Sequence, residues 1–404
     1  MRVALACHNF PPEFEGGTER VVRALAHALR RAGDTVVVIS GSERAHAGVD
    51  RIQESDSGVG VVRIPRLPGE GYGLEVRRPR VTALVQDVLR ESGSEVLHVH
   101  HWSTLSQDLL RAARSQGLGT VATLHDLWTT CPRFFRRPPA GIECPPAAGR
   151  EACAACVDLD LHAGVAAAAA GLAQRDAELR AELGAAAFVA VPSRTAADRV
   201  RRHLPWSGPL QIVPHGLLEP PRGRGAGRPG RTFRVGTFGN LVAEKGVEEL
   251  VLAMRGVPAE LHLHGPFLDP AFAARITALA AELGVRLTCH GPYSAGGGHP
   301  AKDLDLAVFP SLCQETYGLV VDEALAYGVP VVVSDRGALK ERIGAAGVAV
   351  DPSGPALAET VRRLVTDRGA WQRLRGAIPA SFAGIDEAAA CYRAMYARAR
   401  AVPA

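Results

Sequence analysis

The sequence predicts an α/β protein of two Rossmann-like domains facing each other across a cleft, and three observations carry that expectation. Short β-branched runs alternate with amphipathic segments almost throughout, the rhythm of parallel sheets built from strand–helix–strand units. At 404 residues the chain exceeds what one hydrophobic core usually spans, so two domains follow. Midway, the stretch "EPPRGRGAGRPGR" at 219–231 has no apolar periodicity and reads as a linker.

In the N-terminal domain, residues 1–218, strands are predicted at 2–7, 35–40, 61–65, 96–100, 120–126, 187–193 and 210–216. Amphipathic segments such as "TERVVRALAHALRRAG" lie between them. Each strand ends in polar or small residues, so chemistry should gather at the carboxyl edge of the sheet. After the linker, residues 232–378 repeat the rhythm, with strands at 233–240, 260–267, 285–291, 304–310 and 329–335. The tail at 379–404 has a proline break followed by a helix, which is expected to cross back to the N-terminal domain.

Composition excludes some function classes. The net charge is +4, but the arginines are dispersed along helices, with only six tyrosines and four tryptophans among them, so no nucleic-acid partner is expected. The start "MRVALACHNFPPEFEGG" reads as a first strand rather than a signal peptide. The longest apolar stretch, at 163–173, is too short for a membrane span of about 20 residues. A cytoplasmic protein is expected, with at most peripheral contact with the inner face of the membrane. Of the eight cysteines, Cys7, Cys289, Cys313 and Cys391 stand in apolar contexts and read as small buried hydrophobes.

Two segments of the second half carry chemistry. "GTFGNLVAEKGVEELVLAM" joins a glycine-bearing strand end to a helix, placing backbone N–H groups and the Lys245 ammonium where a diphosphate could bind. Taken alone, Gly236 and Gly239 could merely allow a tight turn, and Lys245 could be a solvated charge. "ETYGLVVDEALAYGVPVVVSD" adds two carboxylates around a predicted helix start near Gly318. Glu315 lies in the loop before that helix. Glu323 lies inside it, among Ala324, Leu325 and Ala326, on a face where a carboxylate needs a partner. The alternative is a pair of ordinary exposed glutamates.

With these residues in view the chain resembles the retaining glycosyltransferases of family 4, the group 1 transferases with the GT-B fold. The resemblance covers nearly the whole chain. It rests on "HNFPPEFEGGTERVVRALAHAL", "HVHHW", "TLHDLW", "VPSRTAADRV", "VPHGL", "GTFGNLVAEKGVEELVLA" and above all the E-x7-E of Glu315 and Glu323.

The resemblance implies transfer of a hexose-type sugar from a nucleotide-sugar donor, a UDP- or GDP-sugar, to an acceptor hydroxyl with retention of configuration. It implies that Glu315 contacts donor-sugar hydroxyls, with Thr316, Tyr317, Gly318 and Leu319 nearby. Glu323 would hold the ribose, Lys245 the diphosphate, and His125 would face the transferring sugar. Gly16 and Gly17, after the first strand, would approach the ligand through their backbone. Glu13, His100 and His101 would line the acceptor side, for a glycan, a lipid-linked acceptor or a small molecule. The chain departs from the family at Asn240, where Arg is usual. Asn brings no charge, so leaving-group stabilisation would lean on Lys245, on helix N–H groups or on another arginine. Retention in the family is described as front-face attack assisted by the departing phosphate, so Glu315 is not assigned as a nucleophile. The alternative functions are a nucleotide-sugar-binding GT-B module with little turnover and a GT-B-fold epimerase.

No catalytic metal is expected, although "DLD" occurs at 158–160 and 303–305. One segment stands apart. Within an insertion at 129–157, Cys131, Cys144, Cys153 and Cys156 are spaced C-x12-C-x8-C-x2-C in a Pro- and Gly-rich stretch. Four thiolates suit a structural zinc site with the terminal "CAAC" as a hairpin half-site; free or disulfide-forming cysteines and an iron–sulfur cluster are the alternatives. Phe134, Phe135, Arg136 and Arg137 on the insertion are candidate acceptor contacts.

Overall fold

The computed structural model describes all residues except 43, 45–47, 68–73, 75–76, 135, 139–143, 145–149, 205, 222–231, 294–297 and 402–404. Phe135 and most of the expected linker therefore lie outside the described residues. The chain divides into two compact units, Met1–Leu218 with Gly384–Ala404, and Glu219–Ala383.

In the first unit, β1 (Arg2–Cys7) leads through α1 (Gly17–Arg31) to β2 (Thr35–Ser42), β3 (Ile52–Asp56) and β4 (Val59–Pro65). There follow α2 (Pro79–Glu91), β5 (Val96–Val99), α3 (Leu109–Ser115) and β6 (Gly119–Thr123). The insertion then brings α4 (Arg150–Leu161) and α5 (Val165–Gly184) before β7 (Phe188–Val191), α6 (Arg194–His203) and β8 (Leu210–Ile212). The sheet order is β3-β4-β2-β1-β5-β6-β7-β8. All neighbours are parallel except β3 and β4.

Burial of both sheet faces explains the β-branched runs. Along β1, Val3, Leu5 and Cys7 pack into one core with Val22, Leu25 and Leu29 of α1, while Ala4 and Ala6 pack into the other with Val85 and Leu89 of α2. Fully burying a Val or Leu is worth about 1.5–3 kcal/mol, so a strand covered on both faces is held without help from its polar end. β3 escaped the sequence reading because "IQESD" is a polar edge strand. It pairs antiparallel with β4 through Ser57 (φ 49°) and Gly58 (φ 88°), a two-residue turn whose twist suits a hairpin.

In the second unit, β9 (Arg234–Phe238) runs through a 3-10 turn at Ala243–Lys245 into α7 (Val247–Ala253). β10 (Glu260–His264), α8 (Pro270–Glu282), β11 (Leu287–Cys289), β12 (Leu306–Phe309), α9 (Leu319–Ala326), β13 (Val331–Ser334) and β14 (Gly347–Val350) follow. α10 (Pro355–Thr366) and α11 (Arg368–Gly376) close the unit. The six strands are all parallel in the order β11-β10-β9-β12-β13-β14, the classical dinucleotide-fold order with its switch point between β9 and β12. β14, a four-residue edge strand, was not anticipated.

The last helix, α12 (Ile385–Ala399), belongs to the first unit. Ile385, Ala389, Tyr392 and Tyr396 are buried in the same core as α1. Arg393 and Arg400 pair with Asp34 and Glu95. Among the described residues no helix is long and apolar enough to cross a membrane.

Candidate active site

At the switch point of the second sheet two loops are joined. The loop after β9 carries Asn240, half-buried, and ends in Lys245–Gly246; the loop after β12 carries Ser311 to Gly318. Leu312 N and Cys313 N donate to Glu244 O at 2.9 and 3.3 Å. Gly246 has φ 72°, and a Cβ there would meet the Pro310 carbonyl oxygen at 1.9 Å, so this close approach requires glycine. The joined loops bring Lys245 Nζ to 2.5 Å from Glu315 Oε1, which also accepts from Ser311 Oγ at 2.8 Å. Burial would push the Glu315 carboxyl up, but the ammonium outweighs it and holds the group below its ordinary value. Burial likewise opposes the charge on Lys245, and the carboxylate raises it above the ordinary lysine value.

Gly318 opens α9. Its φ of 94° and a Cβ position 2.3 Å from Leu339 Cδ2 exclude other residues, so the Tyr-Gly pair marks the helix start for a steric reason. Glu323 lies on α9, buried as expected, with Oε2 3.6 Å from His299 Nε2. His299 Nδ1 accepts from Ala301 N at 3.2 Å, which leaves the proton on Nε2, facing the carboxylate. The Tyr317 side chain turns inward: its hydroxyl donates to Asp322 Oδ2 at 2.9 Å and its ring lies under the Arg342 guanidinium, which pairs with Asp322. Of the Thr316–Leu319 segment, Tyr317 is therefore a brace for α9. His299 and Arg342 were missed in the sequence because their partners lie in other elements, and Asp322 because its role depends on Arg342.

In the first unit the strand ends carry a row of imidazoles. His100 Nδ1 is 2.7 Å from His125 Nε2, and His125 Nδ1 is 3.3 Å from His215 Nε2. His98 bonds Tyr396 Oη at 2.7 Å and Thr123 Oγ1 at 2.8 Å, so α12 completes this edge. Burial drives His98 down to about 3 and holds His100 and His125 well below the ordinary histidine value, so these rings are neutral. His101 accepts from Ser103 N at 3.1 Å and faces Asp126 at 3.4 Å. Beside it, burial opposes charge on His8, but Cys7 and the Glu19 carboxylate, 2.9 Å from the ring, raise it. Gly16 is the N-cap of α1 and Gly17 its first residue; Glu19 accepts from Gly16 N at 3.1 Å. Glu13 accepts from Ser42 Oγ at 2.8 Å and pairs with Arg44 at 2.7 Å.

The insertion differs from expectation in form. Cys153 and Cys156 stand on α4, three apart on one helix face, where a hairpin was predicted; "EACAAC" is rich in strong helix formers. Apolar packing also holds it, with Ala154 and Val157 against Ala168 and Leu172 of α5. Arg175 of α5 lies over the Trp128 ring at 4.4 Å and donates to the Trp128 carbonyl. Burial raises the Cys144 thiol, and among the described residues the four cysteine sulfurs do not form a group close enough to share one ion.

These features define a two-unit α/β enzyme of the GT-B class. The family model described as Glycosyltransferase Family 4 matches residues 15–217, and that of the Glycosyl transferases group 1 matches residues 232–367. The chain belongs to this family: it is a glycosyltransferase that moves a sugar from a nucleotide-sugar donor to an acceptor with retention. It is 28% identical to the GDP-mannose-dependent alpha-mannosyltransferase of Mycolicibacterium smegmatis over 91% of this chain and 90% of that protein. It is 30% identical to D-inositol 3-phosphate glycosyltransferase 1 of Catenulispora acidiphila over 94% of this chain and 91% of that one. Among solved structures it is similar to sucrose-phosphate synthase from Thermosynechococcus elongatus, with a TM-score of 0.70 at 22% identity, covering 98% and 96% of the two chains.

Proposed function

We propose that the chain transfers a hexose from a UDP- or GDP-sugar bound by the second unit, and that Glu315, Glu323 and Lys245 are its donor-binding residues. The observation that carries this reading is the Lys245–Glu315 pair at the switch point of the second sheet, where open α/β sheets bind nucleotides. Lys245 supplies charge for the diphosphate, and Glu315, oriented by Lys245 and Ser311, accepts from sugar hydroxyls. Glu323 accepts from the ribose. Backbone N–H groups of Thr316 to Leu319 add to the diphosphate site, and Asn240 contributes a hydrogen bond without charge. The relatives named for GDP-mannose and for inositol 3-phosphate support a nucleoside-diphosphate hexose and a polyol or glycan acceptor.

In the first unit His125 is assigned to face the transferring sugar, its ring positioned by contacts with His100 and His215. The departing phosphate takes the acceptor proton, so no nucleophilic carboxylate and no catalytic metal are part of the reading. Glu13, Gly16, His100 and His101 belong to the edge that takes the acceptor, and Gly17 is assigned to the donor. A cytoplasmic location and, for a lipid-linked acceptor, peripheral membrane contact complete the proposal. Cys131, Cys144, Cys153 and Cys156 are proposed to close around structural zinc when the ion binds.

A thermal-shift screen against UDP, GDP, ADP and TDP, followed by a sugar-nucleotide hydrolysis assay, tests the function. One diphosphate should raise Tm, and its sugar conjugates should be cleaved slowly without acceptor. Binding without any turnover would favour a non-catalytic module.

A further inference from the structure

Away from the two glutamates, the second sheet carries three imidazoles that the donor reading does not use. His262 and His264 are two apart on β10 and therefore share a face. The parallel register Leu261↔Leu287, His262↔Thr288 and Leu263↔Cys289 continues past β11, where His290 N donates to Leu263 O at 2.9 Å. His290 consequently lands beside His264, with ring centroids 4.0 Å apart and planes 2° from parallel, and its centroid is 5.2 Å from that of His262. One ligand atom from each ring can be chosen so that all lie within 4.8 Å of one another.

Neighbouring hydrogen bonds define which nitrogens are offered. His262 Nε2 faces Glu260 Oε2 at 3.3 Å, so Nε2 keeps its proton and donates it to the carboxylate, which leaves Nδ1 as a lone pair, 2.9 Å from His290 Nε2. His264 is 7% exposed, and its Nε2 has no hydrogen-bond partner. A buried polar nitrogen left unpaired is destabilising, so stacking alone leaves the cluster incomplete. We infer that His262, His264 and His290 form a binding site for a divalent d-block cation, best matched by zinc, with Glu260 orienting His262 from behind.

The donor set decides the class of ion. Three neutral imidazoles suit zinc, nickel or copper, whereas magnesium and calcium take oxygen ligands. Bonds of about 2.0–2.1 Å at tetrahedral angles place nitrogens about 3.4 Å apart, so on binding the His262–His290 contact opens by about half an ångström and the stacked rings turn until their in-plane lone pairs converge on the ion. Exposed His290 gives the ion its entry path, and three protein ligands leave a fourth position for water.

Cobalt(II) titration of the tag-free, chelator-treated full chain is the test. With the cysteine site removed by Cys153→Ser, Cys156→Ser, one equivalent should bind with visible ligand-field bands and without thiolate-to-metal charge transfer, whereas the parent should add a second, thiolate-bound equivalent. In that double variant, His290→Ala and His264→Gln should each weaken the thiolate-free binding at least tenfold while far-ultraviolet circular dichroism stays unchanged. Glu260→Gln should weaken it about tenfold. Bands that persist in His290→Ala, or cobalt bound only with a thiolate signature, would overturn the site.

Discussion

Lys245 Nζ and Glu315 Oε1 stand 2.5 Å apart although 70 residues separate them in sequence. The two groups proposed for the diphosphate and for the sugar are thus each other's partner, and each holds the other charged. Lys245→Ala should lower turnover on the order of 10²-fold, the scale for losing one donor to developing charge, and weaken nucleoside binding far less. Single-turnover kinetics beside nucleoside calorimetry separate the two effects; unchanged turnover removes Lys245 from the chemistry.

The same pair sets a pH window. Glu315 is depressed below 4.5, so its contribution to stability is complete above that value and is lost as pH falls through the folded pKa. Lys245 is raised above 10.5, so its contribution is complete below 10.5 and is lost only at still higher pH. Glu315→Gln should therefore flatten the acid limb of a Tm-against-pH curve. Identical acid limbs in variant and parent would place the stabilising charge elsewhere.

Glu323→Ala should weaken binding of the cognate nucleotide by about 1–3 kcal/mol, the cost of losing hydrogen bonds to a charged group. Calorimetry reads this directly, and equal affinities contradict the ribose assignment.

His98 predicts the opposite residue type's behaviour with the same sign. Burial lowers it from 6.5 to about 3, so the unfolded chain binds the extra proton on acidification, and about 2 kcal/mol should be lost between pH 6.5 and 5. Denaturant unfolding of His98→Gln at both pH values should show a shallower loss than the parent. An equal loss would assign the acid sensitivity to other groups.

Gly246→Ala should destabilise the second unit and weaken nucleotide binding together. The added Cβ meets the Pro310 carbonyl in a left-handed backbone, where an L side chain costs more than about 1 kcal/mol. Unaltered Tm and affinity would show that the two loops are not coupled through this contact.

What the sequence by itself determined is the strand–helix rhythm, the break between the units and the glutamate pair around Tyr317–Gly318. These are local signals: apolar runs report burial on both sheet faces, and a glycine at a forced positive φ reports a helix start. The polar strand β3 and the helical form of "CAAC" were not legible, because the first is an edge held by a turn and the second follows alanine-rich propensity in a segment whose prolines suggested a loop. Only the tertiary structure decided the partners: Lys245 with Glu315, Tyr317 with Asp322 and Arg342, His98 with Tyr396 across 298 residues, and His290 beside His264. Side-chain pairs of that kind depend on sheet order and register, and neither is written in any single stretch of chain.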